Sequence, residues 1–170
     1  MPVKNHVIRE FDIRIFEESY SRLYKCLQML DEEQLWKSPN EYIAPVGCLI
    51  LHLCGNARQW MLSGLGGALD NRERDQEFIP QDNISKGDFI FLLENMKSQL
   101  KRCMDDLSEA DFNKVYSIQG FQVTGFSAIM HVLEHFSYHT GQITTLTKLN
   151  TGMDTGFYTD YNLNKHNQKL

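Results

Sequence analysis

No run of apolar residues in this chain approaches the roughly 18–20 that a membrane-crossing helix needs, and Met1-Pro2-Val3-Lys4-Asn5-His6 leads into an amphipathic segment without a signal-peptide core. A soluble, cytoplasmic protein with no membrane partner is therefore expected. Cysteine is sparse too: Cys26, Cys48, Cys54 and Cys103 have neither zinc-knuckle spacing nor the spacing of a redox pair. In a chain that is not exported they read as reduced core residues. A basic excess is also missing, since 17 Lys and Arg are scattered among 22 Asp and Glu, a formal net charge of -5. Phosphate backbones need a concentrated basic face, so nucleic acid is not an expected partner. Internal repeats and low-complexity segments are absent.

What remains is helix rhythm. A chain of 170 residues, 42% hydrophobic and 23% charged, is expected to be one domain over residues 1–170 with a core that needs no staples. Ile13, Phe16, Tyr20, Leu23, Leu27 and Leu30 recur at intervals of 3 and 4, which predicts a first helix from about Val7 to Leu30 with a bundle seam. Asp31-Glu32-Glu33-Gln34 has a cap-and-box pattern, and Ser38-Pro39-Asn40 breaks the chain before a second helix from Pro45 to about Ser63. Residues 66–84 read as a polar, solvated loop. Nearly 20 residues is long for a link between antiparallel neighbours but enough to traverse a bundle about 30 Å long, so helices two and three are predicted to run parallel. Ser85-Lys86-Gly87-Asp88 starts a third helix with Phe89, Leu92, Leu93, Met96, Leu100, Cys103, Met104 and Leu107 on its seam. Ser108-Glu109-Ala110-Asp111 caps another turn, and residues 114–123 alternate around Gly120, the pattern of a small hairpin. A fourth helix is predicted from Phe126 to Leu149; beyond it Phe157, Tyr158 and Tyr161 suggest a tail that packs back before Lys165 to Leu170 frays. The expected fold is all-α, a four-helix bundle with a long crossover between helices 2 and 3.

The fourth helix carries the chemistry. His131, His135 and His139 follow one another at i, i+4 steps within an apolar rhythm of Ile129, Val132, Leu133, Phe136, Ile143 and Leu146. Each step turns about 40° and climbs about 6 Å. Two adjacent histidines can therefore share one metal ion, while all three cannot, and a further ligand must come from another helix. His52 on the second helix is the good donor, because His52, Asn56 and Gln59 form a polar stripe beside the apolar Val46, Leu49, Leu53, Ala57 and Trp60. Each histidine alone reads equally as a hydrogen-bonded residue at a core edge.

His135-Phe136-Ser137-Tyr138-His139-Thr140-Gly141-Gln142 resembles the His-x-x-x-His-x-Gly-Gln signature of the DinB/YfiT superfamily of small helical proteins, and Leu51-His52-Leu53-Cys54-Gly55-Asn56 resembles its earlier histidine helix. The resemblance implies a metal held by His52, His135 and His139, with His131 as a neighbour. It also implies a homodimer, and enzymes that use a low-molecular-weight thiol or water on a small-molecule substrate.

Three neutral imidazoles leave coordination positions open, and such an ion makes thiolate or hydroxide available near neutral pH. Zinc is the first expectation for the ion and nickel the second. The function expected is therefore a metal-dependent enzyme of S-transferase or hydrolase type; the alternative is a non-enzymatic helical binding or stress-response protein with a structural metal or a ligand pocket. Asn56, Gln59, His131 and Gln142 are candidates for the surrounding polar shell or pocket. No general base is legible, since Glu134 lies about 100° around the helix from His135.

Overall fold

The computed structural model describes residues 3–81 and 83–167. The first long helix is continuous: α1 (Val3–Phe11) passes through a π-helical stretch (Asp12–Ser19) into α2 (Tyr20–Met29), with helical backbone angles at both junctions. The π stretch changes which side chains reach the core. The Tyr20 N–H bonds the Ile15 carbonyl five residues back, and the extra residue in that turn rotates the seam that precedes it. Val7, Phe11 and Ile15 are consequently buried, and Ile13, predicted on the seam, is only half-buried.

Local signals account for the other boundaries. Asp31 accepts from the Gln34 N–H at 2.8 Å while Gln34 accepts from the Asp31 N–H at 3.0 Å, a reciprocal cap that starts the short α3 (Glu32–Trp36). Pro45 precedes α4 (Val46–Ala57), which continues through a second π stretch (Arg58–Leu65). Ser85 and Asp88 form the same kind of cap on α5 (Lys86–Asp106). The predicted hairpin is present as β1 (Val115–Ile118) paired antiparallel with β2 (Phe121–Thr124), its turn formed by Gln119 and Gly120 at φ 52° and 84°. Two positive φ values in a two-residue turn match the twist of the strands, and glycine takes the second without a side-chain penalty. The last helix, α6 (Gly125–Thr151), ends at Gly152 in the left-handed region.

Contacts across the bundle give the directions of the helices. Trp36 lies against Gly47 at the start of α4 and against Phe89 at the start of α5, its ring centroid 5.6 Å from that of Phe89. Near the other ends, the Cys103 thiol donates to the Met61 carbonyl at 3.4 Å. The second and third long helices thus start together and end together, parallel as predicted. The first long helix runs opposite to α5, since Lys4 bonds the Leu107 carbonyl, Tyr24 bonds Glu94 and Lys86 bonds the Leu30 carbonyl. In turn α6 runs opposite to α4, because Asn56 meets His131 while His52 meets His135. The order is up, down, down, up, around a core in which Tyr20 and Phe136 stack at 6.0 Å.

All four cysteines are free and buried, in line with a core role. Phe157 packs on the core and Arg22 bonds the Tyr158 hydroxyl, so the tail does fold back. Residues 165–167 are exposed, and the remainder of the segment predicted to fray lies outside the described residues. Among the described residues no helix is long and apolar enough to cross a membrane.

The junction of Trp36 with α4 is close enough to test. A Cβ at Gly47 would lie 2.6 Å from Trp36 Cζ3, so Gly47→Ala should overpack the site and lower stability by about 1–3 kcal/mol. Gly87 on the exposed first turn of α5 meets nothing nearer than Ser85 Oγ at 3.5 Å, and Gly87→Ala should raise stability by about 0.5 kcal/mol. Urea denaturation of both variants checks the pair; equal effects would refute the packing argument.

Candidate metal centre

The antiparallel crossing of α4 and α6 brings His52 opposite His135 and His139. One ring nitrogen from each of these three lies within 4.8 Å of the others. His52 Nε2 is 3.0 Å from His135 Nε2. His52 and His139 are 5% and 8% exposed, so the cluster is largely screened from water.

The other nitrogens of two of the rings are already engaged. His52 Nδ1 is 2.8 Å from Glu77 Oε2. A carboxylate only accepts, so this contact puts the His52 proton on Nδ1 and its lone pair on Nε2. Arg72 Nη2 also lies 3.2 Å from His52 Nδ1, but it donates to Glu77 Oε2 at the shorter 2.8 Å. His139 Nδ1 donates to Gln142 Oε1 at 2.7 Å, which leaves its lone pair on Nε2 as well.

Glu77 comes from the crossover, most of which is exposed as expected of a solvated loop, but Arg72, Glu77 and Phe78 turn inward. A 3₁₀ turn (Arg74–Phe78) lies against α4, and the side chains of Arg72 and Glu77 are only 5% and 11% exposed. Arg72 grips the carboxylate with both Nε and Nη2, at 2.7 and 2.8 Å, and donates from Nη1 to Gln59 Oε1 at 2.9 Å. Gln59 in turn donates to Asp70 at 2.9 Å. The close approach depends on Gly55, where a Cβ would overlap Glu77 Oε1. Phe78 then covers His52, ring centroids 4.8 Å apart.

Burial lowers the proton affinity of the imidazoles. Desolvation, with repulsion from His139 and His52, pushes His135 down to about 3. His131 and His139 are also held below the ordinary value by burial, the Gln142 bond opposing the shift for His139. Burial acts to raise Glu77, yet its bonds to Arg72 and His52 hold the carboxyl below its usual range. Burial drives the Cys54 thiol up to about 12, and Cys26, Cys48 and Cys103 also upward. The cysteines are therefore thiols at neutral pH and poor nucleophiles.

The remaining sequence candidates divide by role. Gln142 orients His139. Asn56 donates to His131 Nε2 at 3.2 Å, while His131 stacks on Trp60 with centroids 3.8 Å apart and is outside the close cluster. Gln59 contacts the crossover and not a histidine. Sequence reasoning missed Arg72 and Glu77; the one local signal was Phe78, an aromatic residue in a polar stretch, marking where the loop touches the bundle.

This up-down-down-up fold has a solved counterpart. The chain is similar to the crystal structure of a DinB-like protein from Bacillus cereus ATCC 10987, with a TM-score of 0.63 and 16% identity over 79% of this chain and 87% of that one. The fold is thus DinB-like. Residues 7–156 match the family described as "Protein of unknown function (DUF1572)", and the chain belongs to that family. No curated protein matches it.

The lowered imidazoles predict an acid-sensitive fold in metal-free protein. The unfolded chain binds protons on these histidines near pH 6.5 while the folded chain resists them, so the unfolded state gains protons first and stability falls as pH drops below about 6.5. Each such imidazole adds a slope of up to about 1.4 kcal/mol per pH unit. Glu77, held low, adds its own loss only below its ordinary value of 4.5. Urea midpoints of chelator-treated protein should be level from pH 8 to 7 and fall steadily towards pH 5; a level profile down to pH 5 would contradict the burial of neutral histidines.

Proposed function

We propose that this protein is a metal-dependent enzyme in which His52, His135 and His139 hold a divalent ion, zinc first and nickel second, that serves a thiol or water in S-transfer or hydrolysis. The observation that carries this reading is the orientation of the donors. Glu77 and Gln142 occupy the Nδ1 protons of His52 and His139, leaving lone pairs on Nε2 inside a cluster of three neutral imidazoles, which is the donor set a divalent ion accepts. When bound, such an ion supplies Lewis acidity that makes a thiolate or hydroxide available near neutral pH.

The chain's own residues do the positioning. Glu77 keeps the His52 ring in one tautomer and raises the basicity of its free nitrogen. Arg72 neutralises Glu77 and fixes its two oxygens, and Phe78 shields the His52 ring from water. Because the buried cysteines are protonated, the thiol of an S-transfer has to come from a small-molecule substrate.

One observation favours the second reading, a non-enzymatic binding or stress-response protein. Both Glu77 oxygens are engaged, and Glu134, which shares a small cavity with His131 and His135, is exposed on α6, so no buried uncommitted carboxylate faces the cluster among the described residues. Elemental analysis of tag-free protein, followed by thiol-transfer and hydrolysis assays with and without a chelator, separates the two. Turnover lost on chelation supports the enzyme; bound metal without turnover supports the binding protein. Light scattering at micromolar concentration tests the homodimer that the family resemblance implies.

Substitution distinguishes ligands from neighbours. His52→Ala, His135→Ala and His139→Ala should each remove most of the bound metal with helical circular dichroism retained, whereas His131→Ala should keep it. Glu77→Gln should weaken metal affinity by about 10–100-fold, since it releases the His52 ring without removing a ligand. Metal content unchanged in all of the histidine variants would refute the site.

A further inference from the structure

A cleft of about 700 Å³ opens beside the histidines, within the roughly 300–1,000 Å³ of small-molecule sites. Three parts of the chain wall it: Tyr42 and Ile43 from the segment before α4, Phe78 from the crossover, and Tyr138 and Leu149 from α6. His139 and Gln142 stand in its lining, so the cleft is continuous with the cluster. Tyr42 is 87% and Leu149 65% exposed, which leaves large apolar surfaces bare in the lining.

Two features point to the nature of the occupant. None of the residues lining the cleft is charged. Such walls take water from a carboxylate or ammonium and give it no counter-charge, and Arg72 cannot supply one because Glu77 and Gln59 already hold its guanidinium. The second feature is Gly141, in the interior of α6, where glycine is less favourable than alanine. A Cβ at this position would meet nothing within 4 Å, so no packing contact in the protein requires glycine there. What a side chain at 141 would fill is the cleft itself.

We propose that this cleft binds the neutral apolar arm, aromatic or alkyl, of the substrate whose reactive group meets the histidine cluster. The assignment of the reactive end rests on the metal-enzyme reading; the binding of an apolar group in the cleft does not. In the lining the Tyr138 hydroxyl accepts from Gln142 and the Thr145 hydroxyl donates to the Gly141 carbonyl, which leaves the Tyr138 proton and a Thr145 lone pair for one neutral polar group. A thiol carrying carboxylates finds no charged side chain along these walls, so in an S-transfer the cleft takes the other reactant, the apolar electrophile.

A matched pair of fluorescent probes tests this on the full chain: N-phenyl-1-naphthylamine, which is neutral, and 8-anilino-1-naphthalenesulfonate, which adds a negative charge to the same skeleton. The neutral probe should saturate a single site and the anionic one should bind at least about tenfold more weakly. Gly141→Phe should weaken the neutral probe by at least about tenfold with metal content and helicity unchanged. Leu149→Glu, at an exposed position, should do the same and serves if Gly141→Phe does not fold. Chelation should leave probe binding intact, so loss of the metal reading would not remove this result. Equal binding of both probes, or full-strength binding to both variants, overturns the proposal. So does a dimer that takes up no probe and that Gly141→Phe converts to monomer, because the cleft is then covered by a second copy.

Discussion

The ion pair between Arg72 and Glu77 is the interaction on which the histidine end of this bundle depends. Neither charge could be buried alone, since the effective penalty is several kcal/mol per ion. Together they satisfy each other through two short hydrogen bonds, and Gln59 takes a further guanidinium N–H. The gain from such a pair lies less in net stability than in register: it fixes where one carboxylate stands. Glu77 stands against His52 because Gly55 leaves it room, and the orientation of the His52 ring follows.

That arrangement is a consequence of topology. Parallel second and third helices oblige the chain to travel back along the bundle, and the returning segment passes over α4 on the way. A tight antiparallel link would bring no side chain near His52. The same segment supplies Phe78, which caps the His52 ring on one side and walls the apolar cleft on the other. One stretch of crossover thus covers the His52 side of the polar cluster and forms one wall of the uncharged cleft that His139 lines. The π stretch in the first helix shows the same dependence on packing, since it is the extra residue there that lets Phe11, Ile15 and Tyr20 all reach the core.

Much of this was legible in the chain itself. The 3.6-residue rhythm of apolar side chains is a local property, so the long helices, their seams outside the π stretch of the first, and the caps at Asp31 and Ser85 could be read directly, as could the Gln119-Gly120 hairpin turn. Loop length carried the parallel course of helices two and three, because the distance a segment must span is a matter of residue count. His52, His135 and His139 stood out because i, i+4 spacing on one helix and a polar stripe on another are also local, and the resemblance to the DinB/YfiT signature chose the pair.

What only the tertiary structure decided concerns contacts between segments with no shared periodicity. Arg72 and Glu77 lie in a polar stretch whose composition is that of a solvated loop, and nothing nearby in sequence says that they turn inward; their burial is decided by the space over Gly55 and by each other's charge. His131 falls outside the close cluster for a similar reason, since Trp60 and Asn56, on another helix, claim its ring. The open space at Gly141 likewise depends on what packs around α6, and no local rule for glycine in a helix predicts it. Sequence determines what each segment presents; which partner meets it depends on the sum of packing and desolvation over the whole bundle.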